Sequence, residues 1–253
     1  MKIFTYDDNF EALASCIYSA WEYSLIHKDE QISLRKRLSM QQSIFSEFIY
    51  VETDSDKAKK VIDSIKTKLS MQSYHTVYMA FLHCQDTGDD IYKFLRLAFK
   101  HGKDINYMLG EEIVMKLMRL QRAVSNEMNS YIEIVRFNEV ADNVFISHIE
   151  PKHNILLGLA KHFQSRMPSI DWMIIDSARS LALVHQKERD CYLHKLNSEE
   201  LKKMSKVNDI KEPYKKLWKS FFKSISIKER ENLKLQRQHC PLRRRKYMTE
   251  FME

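Results

Sequence analysis

Apolar residues recur at intervals of three and four along most of the first half of the chain, with polar residues between them. This spacing places the apolar side chains on one face of a helix, and it predicts helices at residues 74–83, 91–101 and 111–131. Shorter alternating stretches at Lys2–Tyr6 and residues 45–52 predict strands. We therefore expect residues 1–131 to form a mainly helical, supporting part of the fold.

Polar residues mark where several of these helices begin or end. Asp8 or Asn9 is a predicted N-cap for a helix that carries Phe10, and Asp54 opens a second predicted helix. Gly102 is expected directly after the helix at residues 91–101, because glycine most easily adopts the left-handed backbone found there.

The period of the pattern changes after residue 131. Residues 132–137 alternate, Asp142 and Asn143 are typical turn residues, and Val144–Ile149 alternates again. Alternation on both sides of a turn predicts a β-hairpin, because successive side chains of a strand point to opposite faces.

A helix and two strands are predicted after this hairpin. Asn154 is the predicted N-cap of the helix, and residues 172–176 and Leu181–His185 are the predicted strands. Residues 132–190 would then be a sheet-and-helix core. The expected fold class is α+β, mostly helical with a small, largely antiparallel sheet.

The last part, residues 191–253, is predicted to be a basic helical region, and the three parts together one domain over residues 1–253. Pro213 suits the first turn of a helix, where its missing N–H is not needed. Six apolar positions of that helix share one face: Tyr214, Leu217, Trp218, Phe221, Phe222 and Ile225. We expect the helix to pack against the protein through this aromatic face, with its lysines toward solvent or phosphate.

The net charge of +7 is concentrated at the C-terminal end. From residue 202 onward there are 16 Lys or Arg against 6 Asp or Glu, whereas the rest of the chain has 25 against 28. Such an excess indicates a surface for nucleic acid or another polyanion. No apolar run suits a membrane span and no signal-peptide pattern occurs, so we expect a cytoplasmic protein with no membrane contact.

Several common catalytic designs are absent from the sequence. There is no phosphate-binding G-x-x-x-x-G-K-[ST] loop, no G-x-G-x-x-G, no H-E-x-x-H and no nucleophile elbow. No cysteine triplet has cluster-binding spacing, so the chain is not itself a radical-SAM enzyme of the usual kind. His148, His153 and His162 match no recognised metal-binding spacing. We therefore predict neither a metal nor a cofactor.

A longer pattern resembles a known family. The chain reads P-x-H-N-I-L-x-x-x-A-x-H-F-x-x-R-M-P from Pro151, followed by W-x-I-x-D-x-x-R from Trp172. This resembles a bacterial family assigned to DNA metabolism and DNA repair. That family is built on a domain of unknown function, often encoded beside a radical-SAM protein and in some bacteria fused to a uracil-DNA glycosylase. Where the family usually has E-x-H before the V-R-F segment, this chain has Glu127 but Asn129.

The resemblance implies a DNA-binding accessory or repair factor that acts on damaged or modified DNA together with a radical-SAM partner. In this hypothesis His162 donates a proton, Asp176 orients it, and Trp172 stacks on a base. Whether the bound DNA is duplex or single-stranded remains open. The predicted nucleic-acid contacts are Arg136, His153, Asn154, Arg166, Trp172, Arg179, Arg230, Arg237, Arg243, Arg244, Arg245 and Lys246.

Three alternatives stay open at this point. The polar residues around His162 and Asp176 are equally consistent with a buried network that fixes a helix on its sheet. The protein is alternatively a stand-alone repair enzyme, for base excision or phosphodiester cleavage, or a protein-binding scaffold. The DNA hypothesis requires that the C-terminal arginines and the helix after Asn154 share one cationic face.

Overall fold

The computed structural model describes residues 1–27, 30–37, 46–207 and 213–251, with the backbone alone at residues 205–207 and 213–215. The chain divides into two compact units, Met1–Ser125 and Asn126–Glu253, and the boundary falls within one helix. The expected α+β class is confirmed, with a three-stranded parallel sheet and a five-stranded, mostly antiparallel sheet in the described residues. The assignment of residues 1–253 to one domain stays a prediction.

The first unit combines a parallel sheet with several helices. Its described strands, β1 to β3, are Lys2–Tyr6, Ile32–Lys36 and Glu47–Tyr50, in the order β2-β1-β3. Its helices are α1 (Phe10–Ile26), α2 (Ser55–Ser64), α3 (Met71–Phe81), α4 (Gly88–His101) and the first part of α5 (Glu112–Ile134). A π-helical turn at Ile65–Leu69 and a 3-10 turn at Gly102–Tyr107 extend α2 and α4.

The three predicted capping positions of this unit are confirmed, although α3 and α4 each begin three residues before their predicted starts. The Asn9 side chain accepts a hydrogen bond from the N–H of Ala12, and the Asp54 side chain caps α2. Gly102 ends α4 with φ of 66°, in the left-handed region that favours glycine. The strand predicted at residues 45–52 is β3, and residue 45 lies outside the described residues.

The second unit is built around the five-stranded sheet. Its strands are β4 (Asn138–Ala141), β5 (Val144–Ile149), β6 (Asp171–Asp176), β7 (Leu181–His185) and β8 (Tyr192–Lys195), paired in chain order. Only β5 and β6 are parallel, because helix α6 (Leu156–Arg166) carries the chain back between them. The remaining helices are α7 (Ser198–Val207), α8 (Pro213–Ile225), α9 (Leu233–His239) and α10 (Leu242–Arg245).

The sheet of the second unit has an apolar layer on each face. On one side, the rings of Phe163 in α6, Phe137 and Trp172 contact one another edge to face. On the other side, Leu201 and Met204 of α7 pack against a buried cluster around Ile175. The strand alternation explains this arrangement, since consecutive residues of β6 point to opposite layers.

Two local predictions are wrong. Residues 132–137 are not a strand: α5 continues to Ile134, because Tyr131 lies on the same buried helical face as Val124 and extends it by two turns. Asn154 does not cap α6. The helix begins at Leu156, and its N-cap residue, Ile155, makes no side-chain hydrogen bond. The turn at Asp142 and Asn143 is confirmed, with Asn143 at φ of 57°.

Strands β2 and β8 were not predicted, and one further prediction concerns membranes. Strand β2 lies where a polar connection was expected. Strand β8 lies in a stretch expected to be polar and partly helical, and its four residues are exposed. Within the described ranges, no helix has the length and apolar composition needed to cross a bilayer.

Candidate functional site

The loop before α6 is held by a buried carboxylate from α5. The two oxygens of Glu127 accept hydrogen bonds from the backbone N–H groups of Lys152, at 3.0 Å, and His153, at 2.7 Å. Glu127 is only 3% exposed. A carboxylate in this position satisfies amide donors that would otherwise be buried without acceptors. Glu127 therefore fixes the loop before α6, whereas Asn154 was predicted to accept an N–H of the first helical turn.

Arg179 holds the same loop through its carbonyl groups. Its guanidinium donates to the carbonyl oxygens of Pro151, at 3.0 Å, and Lys152, at 2.6 Å, and to the Asp176 carboxylate, at 2.7 Å. The second oxygen of Asp176 accepts from the backbone N–H groups of Ala178 and Arg179. Burial raises the pKa of Asp176, and the hydrogen bonds from Arg179 oppose that rise.

These contacts match the alternative in which the polar residues fix a helix on its sheet. Glu127 binds the N–H groups of residues 152 and 153 and Arg179 binds the carbonyl groups of residues 151 and 152, so donors and acceptors of this short stretch are both satisfied. The Asp176 carboxylate is fully buried. In the described residues no hydrogen bond joins Asp176 to His162, so the predicted catalytic pair is not assembled here, and their catalytic roles stay predictions.

The geometry does not support the predicted stacking of Trp172 on a base. Trp172 is 1% exposed, its indole N–H donates to the carbonyl of Met167, and its ring stacks on His185 at 5.0 Å. A tryptophan with both edge and face occupied in the core has no ring surface for a nucleotide. Its alternating position in β6 directs it inward, which explains the correction.

The other residues predicted near α6 have different surroundings. His153 is buried, Asn154 is half-buried, and His162 is half-buried with its ring against the edge of Phe163. Arg166 is exposed at the end of α6 and has no ion-pair partner among the described residues. Of this group, Arg166 is the side chain best placed to meet a phosphate from solvent.

Three carboxylates hold the C-terminal segment, residues 242–251, to the rest of the second unit. They are Glu127, Glu150 and the segment's own Glu250. Arg243 donates to Glu127 at 3.1 Å, so the end of the chain and the loop before α6 meet at one side chain. Lys246 donates to Glu150 at 2.6 Å, and Tyr247 donates to it at 2.7 Å. Burial alone would raise the pKa of Glu150, but these two hydrogen bonds leave it lowered.

Glu250 is the third of these carboxylates. Its two oxygens accept from Arg136, at 2.8 Å, and from the indole N–H of Trp218, at 3.2 Å. Burial would raise its pKa, and the hydrogen bond from Arg136 leaves it lowered. Arg136 is therefore a structural partner of the C-terminal segment.

The two central arginines of the segment also have local partners. Arg244 lies over the Tyr131 ring at 5.9 Å, and Arg245 donates to the Cys240 carbonyl and the Gln236 side chain. The predicted basic cluster at residues 243–246 is thus mostly engaged within the unit. Its most exposed side chains are those of Arg243 and Lys246, at 51% and 57%.

Helix α8 does not pack through its aromatic face, contrary to the prediction. Trp218 is 41% exposed, Phe221 50% and Ile225 58%. Phe222 turns toward the protein, with its ring edge to face against Phe251 at 5.9 Å, and Trp218 contributes only the hydrogen bond of its N–H to Glu250. The predicted contribution of Tyr214 concerns a side chain outside the described ones. An apolar stripe at helical spacing shows which residues share a face, and it does not show that a partner surface exists in the same chain.

A cleft of about 1020 Å³ lies between the end of α8, the 3-10 turn at Lys228–Arg230 and α9, and we call it the α8–α9 cleft. Basic and apolar side chains line it together. The basic ones are Lys223, Lys228, Arg230, His239 and Arg245, and the apolar ones include Phe222, Ile225, Ile227, Leu233 and Leu235.

Most of the cationic side chains that the structure describes in this region lack an ion-pair partner. In the described part of the chain, no ion-pair partner is found for the side chains of Lys216, Lys223, Lys228, Arg230, Lys234 and Arg237. Residues 213–239 carry eight Lys or Arg against two Asp or Glu. Unpaired cations beside exposed rings attract polyanions, because no internal carboxylate competes for them.

Sequence reasoning missed the carboxylates that organise this unit. Glu127 falls on the inward face of α5, between Val124 and Tyr131, and a carboxylate at a buried helical position was the available signal. Glu150 and Glu250 left no such signal, since their partners are far away along the chain. Lys228 was not among the predicted contacts, whereas Arg230, which lines the same cleft, was.

The fold and this site define an α+β protein with a buried polar loop anchor and a basic, partly apolar cleft near the C-terminus. The model of one family, Domain of unknown function DUF4130, matches residues 85–250, and the chain belongs to that family. The family description assigns no function. No curated protein matches the chain.

Proposed function

We propose that this protein binds DNA as an accessory or repair factor that acts on damaged or modified DNA together with a radical-SAM protein. The observation that supports DNA binding is the set of cations in and beside the α8–α9 cleft that have no ion-pair partner among the described residues. Each Lys or Arg that meets a phosphate releases condensed counterions, which is the main source of sequence-independent affinity.

The ion pairs of the basic region indicate which of its cations would bind phosphates. Arg243 and Lys246 already face Glu127 and Glu150, so DNA phosphates would compete with these carboxylates. Arg230, Lys234 and Arg237 have no such competitor among the described residues. The proposal therefore places phosphate contacts chiefly at α9 and the turn before it.

The repair context and the radical-SAM partner rest on the resemblance to the DNA-metabolism family. Two features are compatible with an accessory role. The chain lacks cluster-binding cysteines, and the described His162 and Asp176 do not form a catalytic pair. An accessory protein needs a surface for DNA and a surface for its partner, without reaction chemistry of its own.

The first test compares DNA binding of the wild-type protein with the triple variant Arg230→Gln/Lys234→Gln/Arg237→Gln. Fluorescence anisotropy with a labelled duplex is measured over a salt series. Each lost phosphate contact lowers the slope of log K against log salt by about 0.9, so a lowering of up to about 3 is expected. Affinity at low salt should fall at least roughly tenfold.

A matched control neutralises three exposed lysines of the first unit, in Lys59→Gln/Lys100→Gln/Lys103→Gln. The control has the same change in net charge, so a loss specific to the α9 variant shows a local site. Absence of binding at low salt, or equal losses in the two variants, would contradict the proposal. Co-purification with a radical-SAM protein of the kind that the resemblance implies tests the partner.

A further inference from the structure

Trp218 is an exposed aromatic residue whose orientation is fixed. Its indole N–H donates to Glu250, and Glu250 is itself held by Arg136. The ring of Phe221 lies one helical turn away, with 5.9 Å between the ring centroids and 36° between the planes. Two large rings therefore remain partly exposed, and one of them is held by a hydrogen bond to a side chain of the C-terminal segment.

Such exposure has an energetic cost unless a ligand covers the rings. Exposed apolar patches of this kind mark interaction surfaces more often than chance. The neighbouring charges indicate the chemistry of the ligand: Lys223, Lys228 and Arg230 stand at the adjoining cleft, unpaired within the described residues. Flat rings beside unpaired cations match a chain that carries both flat groups and phosphates.

Single-stranded nucleic acid has this combination, and duplex DNA does not offer it. The bases of a duplex are stacked on each other, so their faces are unavailable to a side chain, whereas every unpaired base has a free face. An apolar protein helix would cover the rings but would leave the cations without partners. Charge complementarity therefore favours a nucleic acid over such a helix.

We infer that the exposed face of α8 and the α8–α9 cleft bind single-stranded DNA. An unpaired base stacks on Trp218 and Phe221, and flanking phosphates meet Lys223, Lys228 and Arg230. This inference rests on the proposed DNA-binding function and specifies its ligand. A protein that acts on damaged DNA meets unpaired bases at flipped or melted sites, which gives this surface a use.

The test uses the full chain, a labelled oligothymidylate of roughly 12 nucleotides and a duplex of the same length. Trp218→Leu removes the ring, and Trp218→Phe keeps a ring while losing the N–H. We expect Trp218→Leu to lose about tenfold in affinity for the single strand and Trp218→Phe to stay within about twofold of wild type. Duplex affinity should be unchanged in both variants.

Phe221→Leu provides a second variant on the same face, and circular dichroism confirms that each variant is folded. Stacking on Trp218 should also quench tryptophan fluorescence in the wild type, and this saturable quench should be lost in Trp218→Phe. Trp172 is buried and cannot give that signal, and a quench of the half-buried Trp21 would persist in Trp218→Phe.

The outcomes separate this inference from the proposed function. Equal single-strand affinity of Trp218→Leu, Phe221→Leu and wild type would overturn the inference, while duplex binding through α9 would survive. A change from dimer to monomer in Trp218→Leu with DNA binding intact would overturn it too, because the face would then join two copies of the chain. Absence of binding to either probe would refute the DNA-binding function itself.

Discussion

Replacing Glu127 by glutamine should destabilise the second unit, because one side chain there serves three donors. The carboxylate accepts from the N–H groups of Lys152 and His153 and from the guanidinium of Arg243. Glutamine keeps the size and one acceptor oxygen, but it replaces the other oxygen with a donating NH₂ group. At least one backbone N–H must then face another donor in a buried site.

The loss of stability has two contributions, one from the backbone N–H groups and one from the guanidinium of Arg243. Leaving one buried N–H unsatisfied costs about 1–3 kcal/mol. The pair with Arg243 adds less, about 0.2–1 kcal/mol, because that side chain is 51% exposed and well solvated. We therefore expect Glu127→Gln to lower the free energy of unfolding by about 1–4 kcal/mol.

Hydrogen exchange of the peptide that contains residues 150–158 reports on this site directly, and urea unfolding of the whole chain reports on stability. Amides 152 and 153 should lose protection in Glu127→Gln. The control, Glu133→Gln, changes an exposed glutamate of the same helix and should stay within about 0.5 kcal/mol of wild type. Unchanged protection of amides 152 and 153 would refute the role assigned to Glu127.

Two further predictions concern buried contacts of the same unit. Burial lowers the pKa of His148, against the opposing influence of Glu150, so the folded state binds fewer protons and stability should fall as pH drops below about 6.5. His148→Phe should flatten this dependence in urea titrations at pH 7 and pH 5; an equally steep dependence would exclude His148 as its source. A Cβ at Gly158 would overlap the sulfur of Met128. Gly158→Ala should therefore stabilise the Met128→Ala variant more than it stabilises the wild-type protein. The expected gain comes from helix propensity and is up to about 1 kcal/mol. Thermal unfolding of the four proteins measures this coupling, and additive effects would contradict it.

Much of the fold was predictable because local chemistry decided it. Asn9, Asp54 and Gly102 begin or end helices for reasons contained in a few neighbouring residues. The α+β class followed from the change of period near residue 131, although the change falls a few residues later than predicted. Short alternation at the end of a long helix is ambiguous, since a residue such as Tyr131 also fits the helical face.

The candidate site was less predictable because it depends on distant pairs. Arg136 and Glu250 are separated by 114 residues, and Arg243 and Glu127 by 116. A sequence shows that an arginine is present, but it does not show whether a carboxylate neutralises it. The same limit applies to α8, whose stripe was visible in the sequence and whose exposure was not.

The density of positive charge along the chain is therefore a poor guide to where DNA would bind this protein. The densest run, residues 243–246, has most of its groups engaged by Glu127, Glu150, the Cys240 carbonyl and nearby rings, and it holds the C-terminal segment in place. Among the described side chains of α8 and α9, Lys216, Lys223, Lys234 and Arg237 have no ion-pair partner, so they stay available. A charge that already stabilises the fold must break a contact before it binds a phosphate, whereas an unpaired one loses only hydration. Some cations of the basic region would thus stabilise the fold, and different ones would bind the ligand.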